Sequence, residues 1–156
     1  MEFKVFKKIV FVAFVAIFAL FSANADDLQN ISDIERKDLQ EAKNQYDALL
    51  NVYFDISAEF FALTKRVDSS STEAQGAIKN GMAEATKVGA IVKSVKDMET
   101  SLNLAHKKAQ SAKTAKQSNY ESLQNKYLAL LKQYSLEIQQ ITNAIKKSTA
   151  TLQKYE

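Results

Sequence analysis

The sequence predicts an all-α fold, an elongated antiparallel three-helix bundle with coiled-coil-like heptad seams, placed behind an N-terminal signal peptide. Three observations carry that expectation. The 156 residues contain no proline and only three glycines, Gly76, Gly81 and Gly89, all in one region. Ala, Lys, Gln, Leu and Glu are abundant, so helix is favoured almost throughout and strands lack the turn chemistry to join them. Apolar residues recur in alternating steps of three and four, the period of a helix packed along one stripe.

The first element is a leader. Lys4, Lys7 and Lys8 precede an apolar stretch at residues 9–21, and Ala23-Asn24-Ala25 supplies the small-x-small pattern of a signal-peptidase site. The stretch is shorter than the roughly 20 apolar residues that a membrane-crossing helix needs. Residues 1–25 are therefore read as a secretory signal cleaved after Ala25, with an uncleaved anchor as the alternative. No cysteine follows the apolar run, which excludes a lipidated lipoprotein. Residues 26–156 then form a single helical domain, secreted to the periplasm or the extracellular space. Three lysines and one glutamate leave with the leader, so the formal charge falls from +3 to +1. The basic character of the precursor is no argument for a polyanionic partner. Without cysteine, packing alone must hold the domain together.

Three helices are expected, at about 27–67, 72–117 and 119–155. The first carries the series Leu39, Ala42, Tyr46, Leu49, Tyr53, Ile56, Phe60, Leu63, Val67. The third carries Tyr120, Leu123, Tyr127, Leu130, Tyr134, then Ile138, Ile141, Ile145, Ser148, Leu152, Tyr155, with the extra step of four before Ile138 read as a stutter. Between them Ile91, Val95, Met98, Leu102, Ala105, Ala109 and Ala112 continue the pattern with smaller side chains. Capping boxes, Ser or Thr followed three residues later by Glu or Gln, stand at Ser32…Glu35, Ser70…Glu73 and Ser118…Glu121, and the same spacing recurs at Thr72…Gln75 and Thr114…Gln117. The cluster Asp68-Ser69-Ser70-Ser71-Thr72 is the clearest turn. The second turn is placed at Gln117-Ser118-Asn119; one continuous helix over 73–155 is the alternative.

Short connections make neighbours antiparallel, giving an up-down-up bundle with helices on the order of 60 Å long. All six tyrosines fall on the first and third seams, so large side chains from two helices are expected to close over a small-residue middle helix. Charge agrees with this topology. Residues 26–67 hold nine acids and five bases, whereas 103–156 hold nine lysines and three acids. Lys107, Lys108, Lys113 and Lys116 would run beside Asp26, Asp27, Asp33, Glu35, Asp38 and Glu41.

Catalytic chemistry is not expected. The only histidine is His106, beside two lysines, and it reads as a helix-face residue rather than an acid-base group. One histidine and no cysteine are too few for a zinc site, so no metal or cofactor is expected. The glycines follow no strand and make no phosphate loop. Lys107, Lys108, Lys113 and Lys116 are the best polyanion-contact candidates, but no aromatic or arginine interleaves them, and nucleic acid is not the expected partner. Asn30 begins an Asn-Ile-Ser sequon, a glycosylation site if the chain passes through a eukaryotic secretory route. Leu50, Phe54 and Phe61 form a second apolar stripe beside the first seam. Core packing is the default reading, and a hydrophobic interaction patch follows if no neighbour covers them.

These readings lead to a secreted, non-enzymatic interaction protein that binds another protein or itself through helix surfaces. The alternative is an exchangeable lipid- or hydrophobic-ligand-binding bundle that opens on lipid surfaces, allowed by the absence of disulfides and the Gly/Ala-rich middle helix. Mass spectrometry of the exported protein is expected to find Asp26 as the first residue; retention of residues 1–25 would mean an anchor instead.

Overall fold

The computed structural model of the protein describes residues 36–110 and 114–156, apart from the side chains of 114–118. The expected leader, Asn30, the Ser32…Glu35 box and the 27–35 portion of the first helix lie outside the described residues. Three helices pack against one another: α1 at Lys37–Thr64, α2 at Thr72–Gln110 and α3 at Thr114–Leu152, followed by a 3-10 turn at Gln153–Tyr155. Among the described residues there is no strand. Cross-helix bonds give the direction of each. Lys43 and Tyr127 both meet Glu99, Tyr53 meets Ala85, and Asp68 meets Tyr155, so α1 and α3 run parallel and α2 runs against both.

Two helix starts differ from the capping-box expectation. The Ser71 hydroxyl, not that of Ser70, accepts the Ala74 N–H at 3.1 Å and caps α2. Ser70 instead gives its backbone N–H to Asp68 Oδ1 at 2.9 Å, and the Gln75 amide donates to the Ser69 carbonyl at 2.8 Å. Ser118 and Glu121 lie inside α3, which has begun by Thr114, and contacts of Tyr127 with Glu99 and of Tyr155 with Glu73 set α3 antiparallel to α2. The second turn therefore falls before 117–119, and helix 73–155 is not continuous. Gln117, Ser118 and Asn119 contain no glycine or proline, and such polar residues do not stop a helix whose packed face continues through Tyr120 and Leu123.

The core holds the shared line of the first seam, Leu39, Tyr46, Tyr53, Phe60 and Val67, all buried. Its companion line is displaced by one residue only in the middle of the helix. Ala42 and Leu63 of the expected line are buried, but Leu49 and Ile56 are only partly covered, and Lys43, Leu50, Ser57 and Thr64 beside them are buried as well. Both lines have steps of three and four from the same five residues, so spacing alone does not choose between them. In α3 the deepest positions run Tyr127, Leu131, Ser135, Ile138, which puts the extra step of four one turn earlier than expected. On this line Leu131 is fully buried; beside it Leu128 is half-buried, but Leu136 is 61% exposed.

The backbones of α2 and α3 approach closely, as do those of α1 and α3, while α1 and α2 meet mainly through side chains. At the α1–α2 contact Phe60 lies directly on Gly81. A Cβ at Gly81 would run into the ring, with Cε1 at 3.0 Å and the next two ring atoms nearer still. The ring is fully buried and packed edge-on to Phe61 at 5.4 Å, so it has little room to withdraw. Gly76 is the opposite case, with nothing within 4 Å of a Cβ. Gly81→Ala is expected to destabilise by about 1–2 kcal/mol, overpacking outweighing the gain in helix propensity. Gly76→Ala is expected to stabilise by about 0.5–1 kcal/mol; paired thermal unfolding curves check both signs.

Candidate functional site

Two features stand out from the helix packing: a charged layer inside the bundle and an open furrow on its surface. The layer is built by one residue on each of the displaced lines. Lys43 follows Leu39 and precedes Tyr46, Glu99 stands between Val95 and Leu102, and their relative exposures are only 7% and 3%. The Lys43 ammonium lies 2.9 Å from Glu99 Oε1 and 3.1 Å from Asp47 Oδ1, and 4.8 Å from the centre of the Tyr46 ring. From α3 the Tyr127 hydroxyl donates to Glu99 Oε1 at 2.7 Å. One ammonium thus serves two carboxylates.

Burial and charge act together here. Burial, reinforced by Glu99, holds the Tyr127 phenol far above its ordinary value, so it remains a donor. Tyr46 is raised likewise, by burial first and by Asp47 next. Burial also raises Asp47, with Lys43 opposing and Glu99 adding to the shift. Asp47 Oδ1 is buried without a well-directed hydrogen bond, which fits a carboxylate that shares its counter-ion. Farther along, Tyr53 donates to the Ala85 carbonyl at 3.3 Å and is pushed up to about 12 by burial.

Such a layer could offer acid-base groups, but its residues face one another inside the packed helices. Any slip of one helix past another would leave Lys43 or Glu99 buried without its partner, so the layer disfavours other alignments of the helix faces. Sequence reading missed it by taking Met98 rather than Glu99 as the seam position. The signal was present in the line Val92, Val95, Glu99, Leu102 and in the line Leu39, Lys43, Tyr46, Leu50, each of which places a charge among apolar residues.

The furrow, about 520 Å³, runs between α2 and α3. Its floor is made of small residues, among them Gly76, Ala77, Ala83, Ala144 and Ser148, and Lys147 stands on its edge. No residue of α1 lines it, so it opens on the side of the α2–α3 pair turned away from α1.

The structure places the sequence-derived candidates elsewhere. Leu50, Phe54 and Phe61 are 1%, 5% and 5% exposed, so this stripe packs in the core, its default reading, and forms no surface patch. Lys107 and Lys108 are exposed on the last turn of α2, where cations suit the helix dipole. Lys113 and Lys116, and Asn30, lie outside the described side chains. Asp38, an expected partner of the lysine stripe, is bound by Arg36 at 2.7 Å, and this hydrogen-bonded pair holds its carboxyl below the ordinary range. His106 is half-buried, tilted against the Tyr120 ring at 5.0 Å, with Nε2 3.0 Å from the Gln110 side-chain nitrogen. Among the described residues no group of three or more His, Cys, Asp or Glu could hold a metal ion, and no helix is long and apolar enough to cross a membrane.

No family model, curated protein or solved structure matches this chain.

The charged layer makes two variants informative. Lys43→Met leaves the buried Glu99 carboxylate and the half-buried Asp47 without their counter-ion and is expected to cost about 3–5 kcal/mol. Asp47 behaves in the opposite sense. A carboxyl raised in the folded state binds its proton more tightly there, so its ionisation lowers stability as pH rises past the ordinary value of 3.8. Asp47→Asn is expected to be more stable than the parent at pH 7, with the difference shrinking toward pH 4. Denaturant titrations across that pH range measure both.

Proposed function

We propose that the protein is an exported, non-enzymatic helical-bundle protein that acts as a closed bundle, binding another protein or a second copy through its outer helix surfaces. The observation that carries this reading is the burial of Leu50, Phe54 and Phe61, the residues that a lipid-binding bundle would have to offer. Opening the bundle to a lipid surface would also part Lys43 and Tyr127 from Glu99, and moving such charges toward hydrocarbon costs several kcal/mol per ion. Among the described residues, the large apolar side chains that remain outside, Val52, Leu104 and Leu136, sit on three different helices and form no broad lipid-facing stripe.

Export rests on the leader read from the sequence, and the non-enzymatic reading on a chain whose only histidine is His106 and which has no cysteine. Flotation of the exported protein with neutral and with anionic vesicles is the test. The protein is expected to stay at the bottom of the gradient with both kinds of vesicle while keeping its helix signal. Flotation with neutral vesicles, with helicity retained, would replace this reading by the lipid carrier.

A further inference from the structure

The furrow between α2 and α3 has a counterpart on the opposite side of the same molecule. We propose that it receives the outer ridge of α1 from a second copy of this chain, so that copies add side by side in an open row. The inference rests on the closed-bundle reading above and names its interface.

Shape is the first argument. The small residues of the furrow floor let another helix come near the α2–α3 pair, and Gly76 leaves open space above its backbone. Helices with small residues at the contact pack at the short end of the usual 8–10 Å spacing. The same helix pair already holds α1 in its inner groove, so the outer furrow presents a second cradle of similar direction.

The ridge is the second argument. Ala48, Val52, Asp55, Glu59 and Ala62 succeed one another by steps of four and three and are all exposed. The line is narrow, made of small or short side chains, and includes a valine that is 45% exposed.

Charge supplies the third. Glu84 and Glu73 at the furrow are already engaged, Glu84 by Lys87 at 2.8 Å and Glu73 by the Tyr155 hydroxyl and, at 4.0 Å, by Lys154. Lys147 is left to present its positive charge, and among the described residues no ion pair joins it, Asp55 or Glu59. The furrow edge and the ridge therefore carry unpaired charges of opposite sign.

Height along the axis completes the match. Tyr53 stands opposite Ala85, and Asp68 opposite Tyr155, which itself meets Glu73. The furrow is thus level with 54–67 of α1, the segment that carries Asp55, Glu59 and Ala62. Moving one copy sideways, without rotation, lays its ridge over the neighbour's furrow. An interface between two different patches related in this way does not close on itself.

Sedimentation and light scattering of the exported protein over a concentration series, at low and high salt, test the proposal. The mean mass is expected to rise with concentration beyond two copies at low salt and to fall when salt screens the pairs. Lys147→Glu and Glu59→Lys should each weaken association by about tenfold or more, and an equimolar mixture of the two variants should recover it. Both positions are exposed, so circular dichroism and melting serve as controls that the bundle is intact. A monomer at every concentration, a mass that stops at two copies, or association indifferent to both substitutions would overturn the proposal. Each of those results, combined with failure to float on vesicles, removes the row of copies without removing the closed-bundle reading. Flotation removes that reading itself.

Discussion

A lysine and a glutamate sealed among apolar helix faces admit few arrangements, and the rest of the bundle is consistent with the one in which they meet. Lys43 of α1 reaches Glu99 of α2, and Tyr127 of α3 closes on the same carboxylate oxygen. Apolar packing is tolerant of sliding, since one leucine can replace another in a hole. A buried ion pair is not, because displacement by a single helical turn strands both charges. The contact adds little net stability over an apolar one of the same volume. What it contributes is a large difference between this alignment and its competitors.

The remainder of the core follows from that alignment. With Lys43 turned inward, the positions in step with it along α1, Leu50, Ser57 and Thr64, are turned inward too. Phe60 then falls on Gly81, where the missing Cβ lets the ring lie against the backbone. At the far end the chain ties itself shut: the 3-10 turn brings Tyr155 to Glu73 and its carbonyl to the Asp68 N–H, while Arg66 pairs with Glu156 at 3.0 Å. The hydrogen-bonded turn and the terminal contacts act on the same end, opposite the one where α2 passes to α3.

An inward stripe on α1 has a consequence for function. It removes the broad apolar face from view and leaves an outer ridge of short side chains bearing two acids, while small residues in α2 and α3 leave a furrow on the other side. The same economy of side-chain size that lets three helices pack closely in the core makes the outside of the α2–α3 pair concave. In the proposed reading, interaction through helix surfaces is then a matter of contour and of a few charges rather than of an exposed hydrophobic patch.

The sequence by itself determined the all-helical class, because the absence of proline, the scarcity of glycine and the step of three and four are properties of the chain alone; whether residues 73–155 form one helix or two it left open. The Asp68–Thr72 turn was legible for the same reason, through its local hydrogen-bonding residues. It did not determine which of two interleaved lines faces inward. Leu49 and Leu50 have equal claims by spacing, and only the neighbouring helices, by giving Lys43 a partner in Glu99, decide between them. Nor could it show the furrow, which belongs to no helix but to the space between two. Periodicity is a local property, whereas register and concavity arise from contacts between residues far apart in the chain.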